Sequence, residues 1–228
     1  MWKSLAQSLI HKTTRNPGPV MAAPCLNNPM AETFSESLLD DVDQARAREY
    51  SLLSALLLNS PDAQLLARLA NLGGDTSTLG SAHEAVAQAA VRVDADQVSR
   101  EYFNLFVGVG RGELLPYASF YLTGSLHARP LARLRETLRA VGIERADWLK
   151  EPEDHAGVLF EVMAALATGE IAAPTGTDRE IFQGYLAPWI GRFFEDLEHA
   201  KSAGFYARVG TLGRLFMAIE MEAFTIQT

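Results

Sequence analysis

The sequence is poor in cysteine, since its 228 residues include only Cys25. One thiol can form neither an intramolecular disulfide nor a cysteine-based zinc site. Long apolar runs are also lacking: no segment reaches about eighteen consecutive apolar residues, which argues against a membrane-spanning helix. A chain with so little cysteine is typical of a reducing compartment, so a cytoplasmic protein without membrane insertion is expected.

Positive charge is scarce as well. The chain has 20 Lys and Arg against 28 Asp and Glu, a formal net charge of −8. Non-specific nucleic-acid binding needs a basic face and is therefore disfavoured, whereas a basic partner is compatible with this charge. HExxH, GxSxG and spaced His/Asp metal sets are all missing. The sequence predicts no catalytic residue, metal ligand or cofactor, and His83 is interpreted as helix surface.

The first thirty residues differ from the rest. They carry a net charge of +3 and several prolines, a composition that cannot build a core. Residues 1–30 are interpreted as a disordered extension. Two origins stay open for it: a transit-type segment, or a start assigned too early, with Met21 or Met30 as the true start. Residues 41–224 are predicted to form one domain.

Helical periodicity runs through nearly all of that domain. Leucines at 52, 53, 56 and 57 repeat at spacings of three and four, as on one face of a helix. Proline and glycine mark predicted helix limits, from Pro130 to Gly142 and from Pro152 to Gly169. No alternating strand pair and no Asn-Gly hairpin is found. The predicted class is all-α, a single-domain helical bundle.

One connection, "VGVGRGELLPYASFYLTGSLHAR", is long for a helix–helix loop, and long ordered loops are often functional. Its "GVGRG" follows a helix and lacks a GK[ST] ending, so it is interpreted as a helix end and turn rather than a phosphate loop. Its second part, 118–126, is predicted to be a short helix. Pro116, Tyr117, Phe120 and Tyr121 concentrate aromatic surface there, which would suit a peptide wherever it stays exposed.

The stretch "EPEDH", residues 151–155, is open to three interpretations: an active site, a helix cap or a docking point for a cation. Pro152 suits a first helical position, and acids favour the first turn of a helix. Acid–base catalysis by two adjacent acids of this stretch on one substrate atom is disfavoured, because side chains at adjacent helical positions point about 100° apart. His155 shares a stripe with Val158 and is expected to point inward. Asp154 is expected at an open rim, where its removal should barely change the melting temperature.

Three stretches of the sequence occur in an order that is characteristic of one protein family. "YFNLFVGVGRGELLPYASFYLTGSL", "PLARLRETLRAVGI" and "EPEDHAGVLFEVMAAL" together resemble the TorD/DmsD/NarJ family, and the similarity runs from about residue 50 to 224. The resemblance implies a TorD-like all-helical fold and no catalysis. It implies a cytoplasmic chaperone that binds the twin-arginine signal peptide, or the apo form, of a molybdopterin-containing oxidoreductase. Such a chaperone assists cofactor loading before export.

Carried over by position, the resemblance implies a peptide-binding region. Its acids would pair with the arginines of the signal peptide, and its aromatic surface would contact the apolar segment of that peptide. Its residues are Tyr117, Ser119, Tyr121, Glu151, Asp154 and His155, shaped by Leu105, Phe106 and Pro116. The expected partner is an apo-precursor of the formate dehydrogenase or dimethyl-sulfoxide/trimethylamine-oxide reductase type, bound by a monomer or a homodimer. Two rivals remain: a non-catalytic structural or assembly subunit that binds a folded redox enzyme, and a small hydrolase with an unrecognised acid pair.

Overall fold

A computed structural model describes residues 10–12, 29–145 and 149–226. The interpretation of residues 1–30 as a disordered extension, with Cys25 inside it, therefore lies almost wholly outside the described residues. Helical structure begins at Pro29, twelve residues before the predicted domain start at 41. Within the described part, no helix is both long and apolar enough to cross a membrane.

The described part forms ten α-helices, which confirms the all-α class predicted from the periodicity. In chain order they are α1 (Pro29–Leu58), α2 (Ala63–Leu69), α3 (Thr78–Val91), α4 (Ala95–Tyr102), α5 (Ala118–Thr123), α6 (Arg129–Ala140), α7 (Ala156–Ala167), α8 (Thr177–Ile181), α9 (Ile190–His199) and α10 (Phe205–Ile226). Two π-helical turns, Phe103–Val107 and Phe182–Leu186, continue α4 and α8.

One short strand pair was not predicted. β1 (Ile10–Lys12) pairs antiparallel with β2 (Ile143–Arg145), which follows α6 directly. Three residues on each side are too few to show the alternation of apolar and polar side chains by which a strand is recognised in a sequence. The pair therefore leaves the fold class unchanged.

Helix α7 lies at the centre of the bundle. Ten consecutive residues, Ala156–Ala165, are buried, so the helix is covered on every side. Helix α1 packs along it, while α10 packs against α9 and α3. The close approach of α9 and α10 depends on Gly213, because a Cβ added there would lie 2.2 Å from the ring of Phe194.

Two carboxylates tie the last turn of α4 and the connection after it to the last helical hairpin. Glu101 accepts hydrogen bonds from the backbone N–H groups of residues 204–206 at 2.7–3.1 Å, which satisfies the first amides of α10. Glu113 accepts from the N–H groups of Lys201 and Ser202 at 2.7 and 3.0 Å. The α9–α10 turn is thus held by side chains 88 to 105 residues away in sequence.

Candidate functional site

The long connection between α4 and α6 is ordered by its own backbone. The predicted short helix is present as α5 (Ala118–Thr123). Gly108 ends the preceding π-helical turn at φ +63°, and a Cβ there would lie 2.1 Å from the carbonyl oxygen of Arg111. Only glycine fits such a position. The interpretation of "GVGRG" as a helix end followed by a turn is therefore confirmed.

An isolated antiparallel bridge fastens this connection to the EPEDH turn. The N–H of Ala118 donates to the carbonyl of Asp154 at 2.9 Å, and the N–H of Ala156 donates to the carbonyl of Pro116 at 2.8 Å. The rings of Tyr117 and His155 meet edge to face, with centroids 5.1 Å apart. Residues far apart in sequence thus form one small unit.

His155 points inward, as predicted, with a 3% exposed side chain. It is the N-cap of α7: its Nδ1 accepts a hydrogen bond from the N–H of Gly157 at 3.0 Å. Burial lowers the pKa of His155 to about 3, which keeps the ring neutral and Nδ1 available as an acceptor. The predicted helix start at Pro152 is wrong, because residues 151–154 form a turn and α7 begins at Ala156.

Asp154 is buried rather than placed at an open rim, so that prediction is wrong. It is 1% exposed, and its Oδ2 accepts a hydrogen bond from the backbone N–H of Ser119 at 2.9 Å. The late start of α7 is the reason, since Asp154 lies in a turn against α5 instead of on an exposed first helical turn. Its Oδ1 is buried and has no hydrogen-bond partner within the described residues.

The other two acids of the turn also have partners within the chain. The hydroxyl of Tyr117 donates to Glu151 Oε2 at 2.6 Å, and burial together with this carboxylate raises the pKa of Tyr117. Arg135, which the sequence did not single out, donates through Nε and Nη2 to Glu153 at 2.8–3.0 Å. Burial acts to raise the pKa of Glu153, but the hydrogen bonds from Arg135 bring it below its ordinary value.

The remaining predicted residues serve the packing around this unit. Leu105 and Pro116 are buried, and Phe106 packs edge to face against the rings of Tyr102 and Tyr206, at 5.1 and 5.3 Å between centroids. Tyr121 is directed to α9, where its hydroxyl donates to Asp196 at 2.9 Å. The side chain of Tyr121 is therefore directed away from the Tyr117–His155 unit, to which only its backbone N–H bonds, through the carbonyl of Tyr117 at 3.1 Å.

Apolar side chains are exposed along the same connection. Nine large apolar residues of the described part are exposed, and five of them lie within residues 103–126. We call these five the apolar surface of the connection: Phe103, Val107, Val109, Leu122 and Leu126. Buried residues of the same segment anchor it to the core: Leu105, Gly112, Pro116, Ala118 and Ser119. The sequence showed apolar residues here but gave no sign of which ones face outward.

Residues 73–195, more than half of the chain, match the family model described as nitrate reductase delta subunit. The chain belongs to this family, the TorD/DmsD/NarJ family of maturation chaperones. It is 26% identical over 198 residues to the chaperone protein TorD of Vibrio cholerae serotype O1, covering 77% of this chain and 90% of that protein. It is 30% identical over 190 residues to TorD of Shewanella sp. strain MR-4, covering 75% and 90%.

A solved structure is also similar to this chain. The crystal structure of a putative redox enzyme maturation protein from Archaeoglobus fulgidus matches with 22% identity and a TM-score of 0.48 over 77% of this chain and 93% of that one.

Membership of the TorD/DmsD/NarJ family confirms that the protein is not an enzyme, because its relatives are chaperones. In the part of the chain that the structure describes, no group of three or more His, Cys, Asp or Glu side chains is arranged to hold a metal ion. The EPEDH turn of this family member is thus a packed structural unit next to an apolar surface.

Proposed function

We propose that the protein is a cytoplasmic chaperone that binds the twin-arginine signal peptide of a molybdopterin-containing oxidoreductase precursor. It holds the apo form while the cofactor is loaded and before export. The observation that carries this proposal is the apolar surface of the connection, fixed to the EPEDH turn by the Tyr117–His155 bridge.

The apolar surface suits the apolar segment of such a peptide. Contiguous exposed apolar patches mark interaction sites, whereas single exposed apolar residues are ordinary. These five side chains all lie within residues 103–126. Val109 is 97% exposed and Val107 is 50% exposed, so neither side chain contributes much to the core. Their burial against a peptide would release water from apolar area, at roughly 25 cal/mol per Å².

The buried residues of the EPEDH turn support binding indirectly. Ser119, Asp154 and His155 are each at most 3% exposed, so their contacts are internal. They hold α5 and the segment before it in one position relative to α7. A rigid, preformed surface loses less conformational entropy when a peptide binds.

Family membership supports the type of client. The relatives are named chaperone protein TorD, which supports a redox-enzyme client. The resemblance seen in the sequence extends this expectation to a dimethyl-sulfoxide or trimethylamine-oxide reductase or a formate dehydrogenase. The formal charge of −8 favours a partner segment that carries arginines.

Calorimetric titration of the full chain with synthetic leaders of the host's molybdoenzymes tests this proposal. We expect selective binding of one leader, and no binding of the same residues in scrambled order. If no leader binds but a folded redox enzyme does, the protein is instead an assembly subunit, and the proposal is overturned.

A further inference from the structure

Each carboxylate of the EPEDH turn already has a hydrogen-bond partner within the chain. Asp154 is buried, Glu153 is paired with Arg135, and Glu151 accepts from Tyr117. On the proposed function, carboxylates that line a cavity elsewhere are better placed to receive the arginine pair of the signal peptide.

A groove of about 800 Å³ lies between α1, the α2–α3 connection, α3 and the end of α7. Its volume is in the range of sites that hold a ligand of several hundred daltons. The apolar part of the groove wall is formed by Leu52, Leu72 and Ala164. The carboxylates of Glu49 and Glu170 also line it, so the groove combines apolar wall with acid.

Only one of the two carboxylate oxygens of Glu49 has a hydrogen-bond partner within the described residues. His83 Nε2 lies 2.7 Å from Glu49 Oε1, while Oε2 is buried and has no hydrogen-bond partner. A buried carboxylate oxygen without a donor is costly, and a charged N–H donor is its strongest partner. His83, interpreted from the sequence as helix surface, in fact orients this carboxylate.

A second carboxyl with an unpaired oxygen lies next to the groove. Glu161 is 4% exposed, its Oε2 has no partner in the described part, and it precedes the lining residues Ala164 and Thr168 by three and seven positions on α7. Burial raises the pKa of Glu161, its hydrogen bond with Ser54 acts to lower it, and the negative charge of Glu170 acts to raise it further.

We propose that this groove receives the arginine pair of the signal peptide, with one guanidinium at the Glu49 carboxylate and the other at Glu170. The inference rests on the proposed function and deepens it by separating two subsites: arginines here, apolar segment on the connection. Arginine is favoured over lysine because its planar fork can engage a carboxylate through two N–H groups. Arg48 also lines the groove and opposes a cation, so both acids are needed.

A double-mutant cycle between protein and peptide tests the inference. The protein variant is Glu49→Gln with Glu170→Gln, and the peptide variant replaces both arginines of the bound leader with glutamine. Calorimetry on the full chain gives the four dissociation constants. We expect the groove variant to lose about tenfold or more in affinity for the arginine leader, and less than about twofold for the glutamine leader.

Matched controls keep the result interpretable. Glu136→Gln with Glu222→Gln removes the same charge from two exposed positions outside the groove and should bind both leaders as the wild type does. Glu170→Gln alone, at an exposed position that leaves the His83–Glu49 pair intact, should still lose about threefold for the arginine leader.

The outcomes separate the two proposals. If the wild type binds the leader but the groove variant still distinguishes arginine from glutamine as strongly, the groove assignment is overturned and the proposed function stands. If the wild type binds no leader, the proposed function fails, and the groove assignment fails with it.

Discussion

The carboxylate of Asp154 receives the backbone N–H of Ser119 at 2.9 Å, and both residues are fully enclosed. The same residue's carbonyl receives the N–H of Ala118 at 2.9 Å. Asp154 therefore orders the first turn of α5 through its side chain and its backbone together. In the sequence Asp154 resembles a ligand-binding group. In the fold it holds α5 against the EPEDH turn by hydrogen bonds.

Replacing Asp154 should destabilise the protein, contrary to the expectation from the sequence. Asp154→Ala leaves the N–H of Ser119 buried without an acceptor, which costs about 1–3 kcal/mol. Asp154→Asn keeps an oxygen in place and should cost less. Urea unfolding measures both, with Glu222→Ala as an exposed control. Equal midpoints for Asp154→Ala and the wild type would contradict the fastening role.

His155 should make stability depend on pH. Its folded-state pKa of about 3 is below the ordinary value of 6.5, so the unfolded chain binds the extra proton between these values. Stability contributed by the neutral ring is therefore present above pH 6.5 and is lost as pH falls toward 3. Between pH 7.5 and pH 5 this amounts to about 2 kcal/mol.

The variant His155→Asn isolates that contribution. Asparagine is a good N-cap whose oxygen can accept the N–H of Gly157, and it does not titrate. Urea titrations at pH 7.5 and pH 5 should show a smaller loss of unfolding free energy for His155→Asn than for the wild type. His83, whose pKa is raised by its hydrogen bond with Glu49, titrates in both proteins and cancels in the difference. Parallel losses in the two proteins would show that His155 does not titrate in this way.

The apolar surface of the connection should matter for binding and hardly at all for folding. Val109→Ser with Leu122→Ser changes side chains that are 97% and 41% exposed. We expect leader affinity to fall about tenfold and the melting temperature to stay within about 2 °C, because little core contact is lost. The matched control is Val91→Ser with Ile219→Ser, 70% and 47% exposed elsewhere. Equal losses in both pairs would refute a localised peptide surface.

Gly213 should tolerate no side chain. In Gly213→Ala the new Cβ would lie 2.2 Å from the ring of Phe194, and such overpacking typically costs 1–3 kcal/mol, with about 3 kcal/mol or more expected here. The control is Gly191→Ala on α9, where the nearest side-chain atom would be 3.6 Å away. That change should be neutral or stabilising, by up to about 1 kcal/mol. Thermal unfolding of the two variants compares them directly; similar melting temperatures would contradict the close helix contact.

The helices were predictable because their signals are local. Apolar spacing, together with Pro130 near the start of α6 and Gly142 after its end, is contained within a few turns of chain. The start of α7 was not predictable, because Pro152 suits the first turn of a helix equally well. Only the backbone bridge from Pro116 makes residues 151–154 a turn rather than the first turn of α7. The strand pair β1–β2 was too short to leave a pattern.

The sequence predicted which residues form the site, but not which way their side chains point. The resemblance grouped Tyr117, Asp154 and His155, and the structure does bring them together. Burial of Asp154 depends on a partner 35 positions away, and the pairing of Glu49 with His83 joins two helices with no motif between them. Such contacts are set by the packing of helices, which no short window of sequence specifies.

The hold of Glu101 and Glu113 on the α9–α10 turn has a kinetic consequence. The amides of residues 201, 202 and 204–206 exchange with solvent only when their hydrogen bonds to these carboxylates break, which requires the end of α4 and the connection after it to separate from the last hairpin. The segment that carries the apolar surface and the start of the last helix should thus open as one cooperative unit. A peptide that docks on the first would slow hydrogen exchange in the second.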